Sequence, residues 1–153
     1  MMCVGRAAFV EKVIQSNGLL AGEVSTHLLF KEYGTIEMPI AGLFYLLKAL
    51  ESYENATQMI REFDVYARGQ VIQFHTEKKD EIIAALTEKY KNLKQITIDG
   101  IRIEAPEWWF CVRKSNTEPL LKLALEASNR ALYDEILSEM RIFFQSYGAV
   151  EKL

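Results

Sequence analysis

A chain of 153 residues, half of them hydrophobic, is long enough for one domain, or for a small domain plus a piece of another, with a core of its own. A net charge of −3 at pH 7 gives no global attraction to nucleic acid or to an anionic membrane, so an anion site has to be built locally. No run approaches the ~18 consecutive apolar residues of a membrane span, and no basic segment leads into an apolar signal core at the start, so a soluble, cytoplasmic protein is expected.

Val4, Ala7, Ala8, Glu11 and Ile14 set apolar groups on one helical face and charge elsewhere, until Asn17-Gly18 breaks the pattern. Leu19-Leu20-Ala21 and Leu28-Leu29-Phe30 read as short buried strands around the polar insert Gly22-Glu23-Val24-Ser25-Thr26-His27. On an extended backbone Glu23, Ser25 and His27 alternate onto one face, where they could meet the hydroxyls of a sugar; the same spacing equally suits a solvated sheet edge. Pro39 to Glu51 reads as a helix with proline in its first turn, and Ile40, Leu43, Phe44, Leu47 and Leu50 recur at helical spacing as a core face. Ser52 to Asn55 is a polar break, and Asn55 with Gln58 fits an N-cap and its reciprocal partner. The domain boundary is expected here, dividing the chain into residues 1–54 and 55–153.

Beyond the boundary, Met59, Ile60 and Phe63 mark a helix, and Val71 to Phe74 a strand with His75 at its end. A lone imidazole without a second ligand at metal spacing reads as a surface or capping residue. Thr76 caps a helix from Glu77 to Tyr90, with Ile82, Ile83, Leu86 and Tyr90 inward. Gln95 to Ile98 and Ile101 to Ile103 flank Asp99-Gly100, a pair suited to a two-residue hairpin turn. Trp108-Trp109 opens a strand that contains Cys111, and the acidic balance favours packing over base stacking for these rings. With only Cys3 and Cys111 in the chain and no repeated spacing, a reduced buried thiol is expected at Cys111. Leu121, Leu123 and Leu125 alternate inward on the next strand, and a last helix from about Arg130 to Gln145 presents Leu132, Ile136, Met140 and Phe143.

Between those two strands runs Arg113-Lys114-Ser115-Asn116-Thr117-Glu118-Pro119. Arg113 can offer a planar fork of donors, and Ser115, Asn116 and Thr117 add short polar groups and backbone N–H donors, a set that suits a phosphate. Taken alone the same residues make an ordinary polar turn.

The order of these pieces resembles the last domain of the phosphohexomutases, the phosphoglucomutase and phosphomannomutase superfamily, where a loop of the form Arg-x-Ser-Asn-Thr-Glu-Pro holds the substrate phosphate. Gly22 to His27 is similar to that superfamily's sugar loop, Gly-Glu-x-Ser-Gly-His, with Thr26 in place of glycine. A threonine there is strained if the position takes positive φ, which would displace the loop. Val4-Gly5-Arg6 resembles a segment in which histidine follows Val-Gly, leaving Arg6 as a substitute anion contact or an exposed helix-start arginine.

The resemblance implies an α+β chain: a partial third, sugar-binding α/β domain over 1–54, then a fourth domain over 55–153 whose antiparallel sheet is covered by two helices. It implies phosphate contacts from Arg113, Ser115, Asn116 and Thr117, and sugar contacts from Glu23, Ser25 and His27. In complete enzymes of this type a phosphoserine and a Mg2+-holding aspartate loop come from the first two domains. This sequence contains neither an aspartate triplet nor a Thr-Ala-Ser-His-Asn-like segment, so it is expected to bind no cofactor itself and to be inactive alone. The implied ligand is a hexose phosphate, glucose or mannose 1- or 6-phosphate. Asn116, where the phosphoglucosamine branch has glycine, tilts the choice toward the unmodified hexoses. The remaining options are one chain of a split mutase, paired with a chain carrying the front domains, or a non-catalytic remnant that binds a phosphosugar, another protein or itself.

Overall fold

A computed structural model describes residues 6–23 and 26–152, and contacts divide the chain into two units between Asp64 and Val65. Each unit has its own sheet. Among the described residues no helix is long and apolar enough to cross a membrane.

The first unit opens with α1 (Arg6–Gln15), closed by Asn17 at φ 52° and by the Gly18 N–H on the Val13 carbonyl. β1 (Leu20–Gly22), β2 (Leu28–Phe30) and β3 (Ile36–Glu37) form an antiparallel sheet in that order, with Gly22 opposite Leu28. α2 (Pro39–Leu50) lies on β2 at Gly42, where an added Cβ would fall 2.2 Å from Leu28 Cδ1. Leu29, Phe30, Val13 and Ala41 make a small core. The stripe read from the sequence as a core face does not serve as one. Ile40, Leu43, Phe44 and Leu47 are 68, 52, 67 and 51% exposed, because three strands of two or three residues cannot cover a twelve-residue helix. α3 (Ala56–Phe63) starts as the sequence indicates: the Gln58 N–H donates to Asn55 Oδ1 and the Glu54 N–H to Gln58 Oε1. By contact α3 groups with the first unit, on the other side of the break from the side where the sequence places it.

The second unit contains β4 (Ala67–Arg68), β5 (Ile72–His75), α4 (Lys79–Lys89), β6 (Lys94–Ile96), β7 (Ile101–Glu104), β8 (Trp108–Lys114), β9 (Leu120–Ala127), α5 (Arg130–Ser146) and β10 (Val150–Lys152). Its sheet is antiparallel, in the order β10-β5-β9-β8-β7-β6, with β4 beside the far end of β9. The two end strands, β10 and β6, are three residues long and carry Glu151, Lys152 and Lys94. Period-two alternation on β8 and β9 turns Phe110, Val112, Leu121, Leu123 and Leu125 toward the helices, where Ile82 and Leu86 of α4 and Ile136, Met140 and Phe144 of α5 meet them. The Phe74 and Phe144 rings lie 4.4 Å apart at the centre. This is the expected α+β sheet covered on one face by two helices. The opposite face receives the odd-numbered residues of β8: Trp109, the buried thiol of Cys111, and Arg113.

β10 is tied down by α5, since Arg141 donates from Nε and Nη2 to the two carboxylate oxygens of Glu151, both at 2.8 Å. That fork holds the Glu151 carboxyl below its ordinary value near 4.5. A depressed folded-state value contributes stability above the ordinary carboxylate range, lost as pH falls through the depressed value. Glu151→Gln should therefore lower the melting stability at pH 7 by about 0.5–1 kcal/mol, the size of a partly exposed pair, and leave a flatter acid limb in a pH series of thermal melts.

Candidate functional site

The β8–β9 connection, Ser115 to Pro119, is pinned at both ends. The Ser115 N–H donates to the Leu120 carbonyl at 2.9 Å, the Leu120 N–H to that of Glu118 at 2.8 Å, and the Thr76 N–H to that of Pro119 at 2.9 Å. From the start of α4, Lys79 Nζ reaches the carbonyls of Ser115 (3.1 Å) and Glu118 (3.0 Å). Its neighbour Asp80 pairs with Lys114 at 2.7 Å, and the Lys114 hydrogen bond holds the Asp80 carboxyl below the usual range. Ser115 is 8% exposed, whereas Asn116 and Thr117 are open to solvent. Among the described residues, the backbone N–H groups of Asn116, Thr117 and Glu118 donate to no acceptor, and the Asn116 and Thr117 side chains bond to nothing. Exposed N–H groups on a constrained loop are donors already arranged for an anion.

Arg113 precedes this loop on β8, opposite Lys122 of β9. Its Nε lies 3.0 Å from Asp99 Oδ2, an ion pair by distance that lacks the alignment of a hydrogen bond. That Nε is buried, while the side chain as a whole is 35% exposed, so the exposure belongs to its other atoms. Arg113 is thus neither sealed inside nor free of an acidic partner. Asp99 comes from the β6–β7 turn, which is wider than the two-residue turn expected: Ile96 pairs with Arg102, so the turn centres on Asp99, and of the expected pair only Gly100 takes positive φ, at 78°. Lys79, Arg113, Lys114 and Lys122 make a local basic cluster in an acidic chain. A groove of about 490 Å³ opens beside Glu118 and Pro119, walled by His75, Val150 and Lys152.

At the other end of β8, Trp108 stacks on Phe110 at 5.7 Å, and the Arg102 guanidinium lies 3.8 Å over the Trp109 ring. Trp109 Nε1 donates to Glu126 at 2.9 Å, so both rings pack within the fold, as the sequence suggested.

The proposed sugar residues belong to the first unit. Ser25 and residues 1–5 lie outside the described residues, as does the side chain of Arg6. Glu23 and His27 face each other across the end of the β1–β2 hairpin instead of alternating along one extended run. The Glu23 N–H donates to the His27 carbonyl, one step beyond the Gly22–Leu28 pair, and the Thr26 N–H donates to the Glu23 carbonyl. Thr26 takes φ 67°, the left-handed backbone that strains a β-branched residue. Glu23 and His27 still converge: His27 Nε2 lies 3.7 Å from Glu23 Oε1, and its Nδ1 3.1 Å from Glu37 Oε2. Glu37 escaped the sequence reading as a partner because it arrives from β3. Lys79 escaped too, although Lys78-Lys79 at the start of a helix, where the macrodipole favours acids, was the available signal.

Residues 72–142 match the family model described as phosphoglucomutase/phosphomannomutase, C-terminal domain. The chain is 36% identical over 135 residues to a phosphomannomutase of Methanocaldococcus jannaschii, covering 87% of this chain and 30% of that protein. It is 34% identical over 146 residues to a phosphomannomutase/phosphoglucomutase of Pseudomonas syringae pv. tomato, covering 89% and 30%. A crystal structure of a phosphoglucomutase/phosphomannomutase family protein from Burkholderia thailandensis superposes with a TM-score of 0.76 at 25% identity, over 97% of this chain and 32% of that one. The chain spans about a third of the length of the proteins it matches.

Proposed function

Because this chain belongs to the phosphohexomutase superfamily as its C-terminal portion, we propose that it is the substrate-binding rear of a mutase that interconverts hexose 1-phosphate and hexose 6-phosphate. The observation that carries the reading is the set of undonated N–H groups at Asn116, Thr117 and Glu118 beside the part-exposed Arg113. In this reading the outer nitrogens of Arg113 take the phosphate that is not being transferred. The Ser115 and Thr117 hydroxyls, the Asn116 amide and the loop N–H groups complete the cradle. Glu23, Ser25 and His27 meet the sugar hydroxyls, with Glu37 orienting the imidazole.

Phosphoryl transfer also needs a nucleophile and a cation to spread developing charge. Among the described residues no group of three or more His, Cys, Asp or Glu is arranged to hold a metal. Mg2+ does not fit the residues here, and both it and the phosphoserine would come from further polypeptide, on this chain or on another. The exposed stripe of α2 is apolar surface that such polypeptide would cover. A reducing cytoplasm suits both the buried thiol of Cys111 and a sugar phosphate substrate.

Calorimetric titration tests the binding half of this reading. Glucose 1-phosphate and mannose 1-phosphate should each give saturable heat, and unphosphorylated glucose none at the same concentration. Equal binding of glucose and its phosphate would remove the phosphate clamp from the account.

A further inference from the structure

We propose that Lys79, thirty-six residues upstream of the loop it touches, is a positioning residue for the phosphate-binding loop: its ammonium pins the carbonyls of Ser115 and Glu118 and so holds the loop's free N–H groups ready for an anion. The inference rests on the phosphate-loop reading above and adds to it a residue from a different element.

The argument is geometric. The peptide joining Ser115 to Asn116 is planar and trans, so its carbonyl and its N–H point in opposite directions. With the Ser115 carbonyl on Lys79 Nζ at 3.1 Å, the Asn116 N–H is directed away from Lys79. The Glu118 carbonyl, 3.0 Å from the same nitrogen, fixes the other end of the arc, and Pro119 after it has no N–H to compete. One cation with three donors therefore ties two points of the loop to the rigid start of α4. The neighbouring Asp80–Lys114 pair, the Thr76 N–H on Pro119 and the Ser115 N–H on Leu120 hold the flanks, and the Glu118 carbonyl also accepts the Leu120 N–H, whereas among the described residues the Ser115 carbonyl is held by Lys79 alone.

Local preference argues against a lysine here for the sake of the helix alone. α4 carries Lys78 and Lys79 at its start, where the backbone dipole disfavours positive charge, and Asp80 and Glu81 follow to offset it. A locally unfavourable residue that makes two directed long-range bonds is placed for what it touches.

The test compares Lys79→Met with Lys79→Arg in the full chain, using glucose 1-phosphate and inorganic phosphate as probes alongside hydrogen exchange in the 115–120 segment, read at the Ser115 and Leu120 amides, which are its hydrogen-bonded donors. Lys79→Met should weaken both ligands about tenfold and speed exchange in the segment at least tenfold, with a melting temperature within a few degrees of the parent. Arginine, which can still donate to both carbonyls, should restore affinity and protection. Unchanged exchange in Lys79→Met overturns the proposal. So does an equal loss of affinity in both variants with the loop still protected, which would mark Lys79 as a direct ligand contact. Exchange needs no ligand, so a parent chain that binds no phosphosugar would sink the functional reading and still leave this inference tested. If Lys79→Met does not fold, Lys79→Ala, which also carries no side-chain donor and favours a helix, takes its place under the same criteria.

Discussion

Arg113→Ala is expected to weaken glucose 1-phosphate and mannose 1-phosphate binding by one to two decades while leaving the melting temperature nearly unchanged. A two-pronged, charge-assisted contact is worth roughly 1.5–3 kcal/mol, about one to two powers of ten in affinity. The structural loss is smaller. Arg113 faces Asp99 off-line, and Asp99 is 28% exposed, so water can take over the carboxylate once the guanidinium has gone. Arg113→Lys keeps the charge and loses the planar fork, and should recover only a minor part of the affinity. Titration and thermal melts on the same samples separate the two effects. An alanine variant that binds as tightly as the parent would show that the phosphate does not reach this side chain.

Gly100→Ala should lower the stability of the second unit by about 2 kcal/mol or more, moving its melting midpoint by roughly 8–16 °C, because a left-handed backbone is costly for any residue with a Cβ and the new methyl has nowhere to go. Gly100 sits at φ 78°, and an added Cβ would lie 2.1 Å from the Val112 carbonyl oxygen and 2.9 Å from Arg113 Cα. Those are backbone atoms of a central strand and cannot swing aside as the tip of a side chain can. The turn would lift off β8 and take Asp99 with it, so phosphosugar affinity should fall together with stability. A melt indistinguishable from the parent would mean that the turn does not lie against β8 as described.

The second unit was the more legible in sequence, for a physical reason. β9 alternates Leu121, Leu123 and Leu125 against Lys122, Ala124 and Glu126, and α5 repeats Ile136 and Met140, so periodicity and burial coincide there, while at the end of α5 Phe144 is the buried ring and Phe143 is only half-buried. Asn55 and Gln58 were readable because capping is settled within four residues. α2 misled because spacing reports which residues share a face and says nothing of what lies opposite it. Ile40 and Phe44 line up correctly and remain in solvent. β4 and β10 are too short to show a period and are recruited by their neighbours β9 and β5. In the site, Arg113 and the Ser-Asn-Thr run stood out as a pattern. Asp99 and Lys79 did not, since their roles depend on a turn and a helix start brought to the loop from elsewhere in the chain.

The brevity and charge of β6 and β10 bear on how this protein behaves when crowded. An open sheet border offers unsatisfied peptide groups to any extended strand that drifts past, which is how ordered aggregates are seeded. Here the two end strands offer only three residues each, with Lys94 on one and Glu151 and Lys152 on the other, and β4 beside β9 offers two. A stray strand finds too little backbone to hold and a charge in its way, so concentrated samples should resist fibre formation along this sheet.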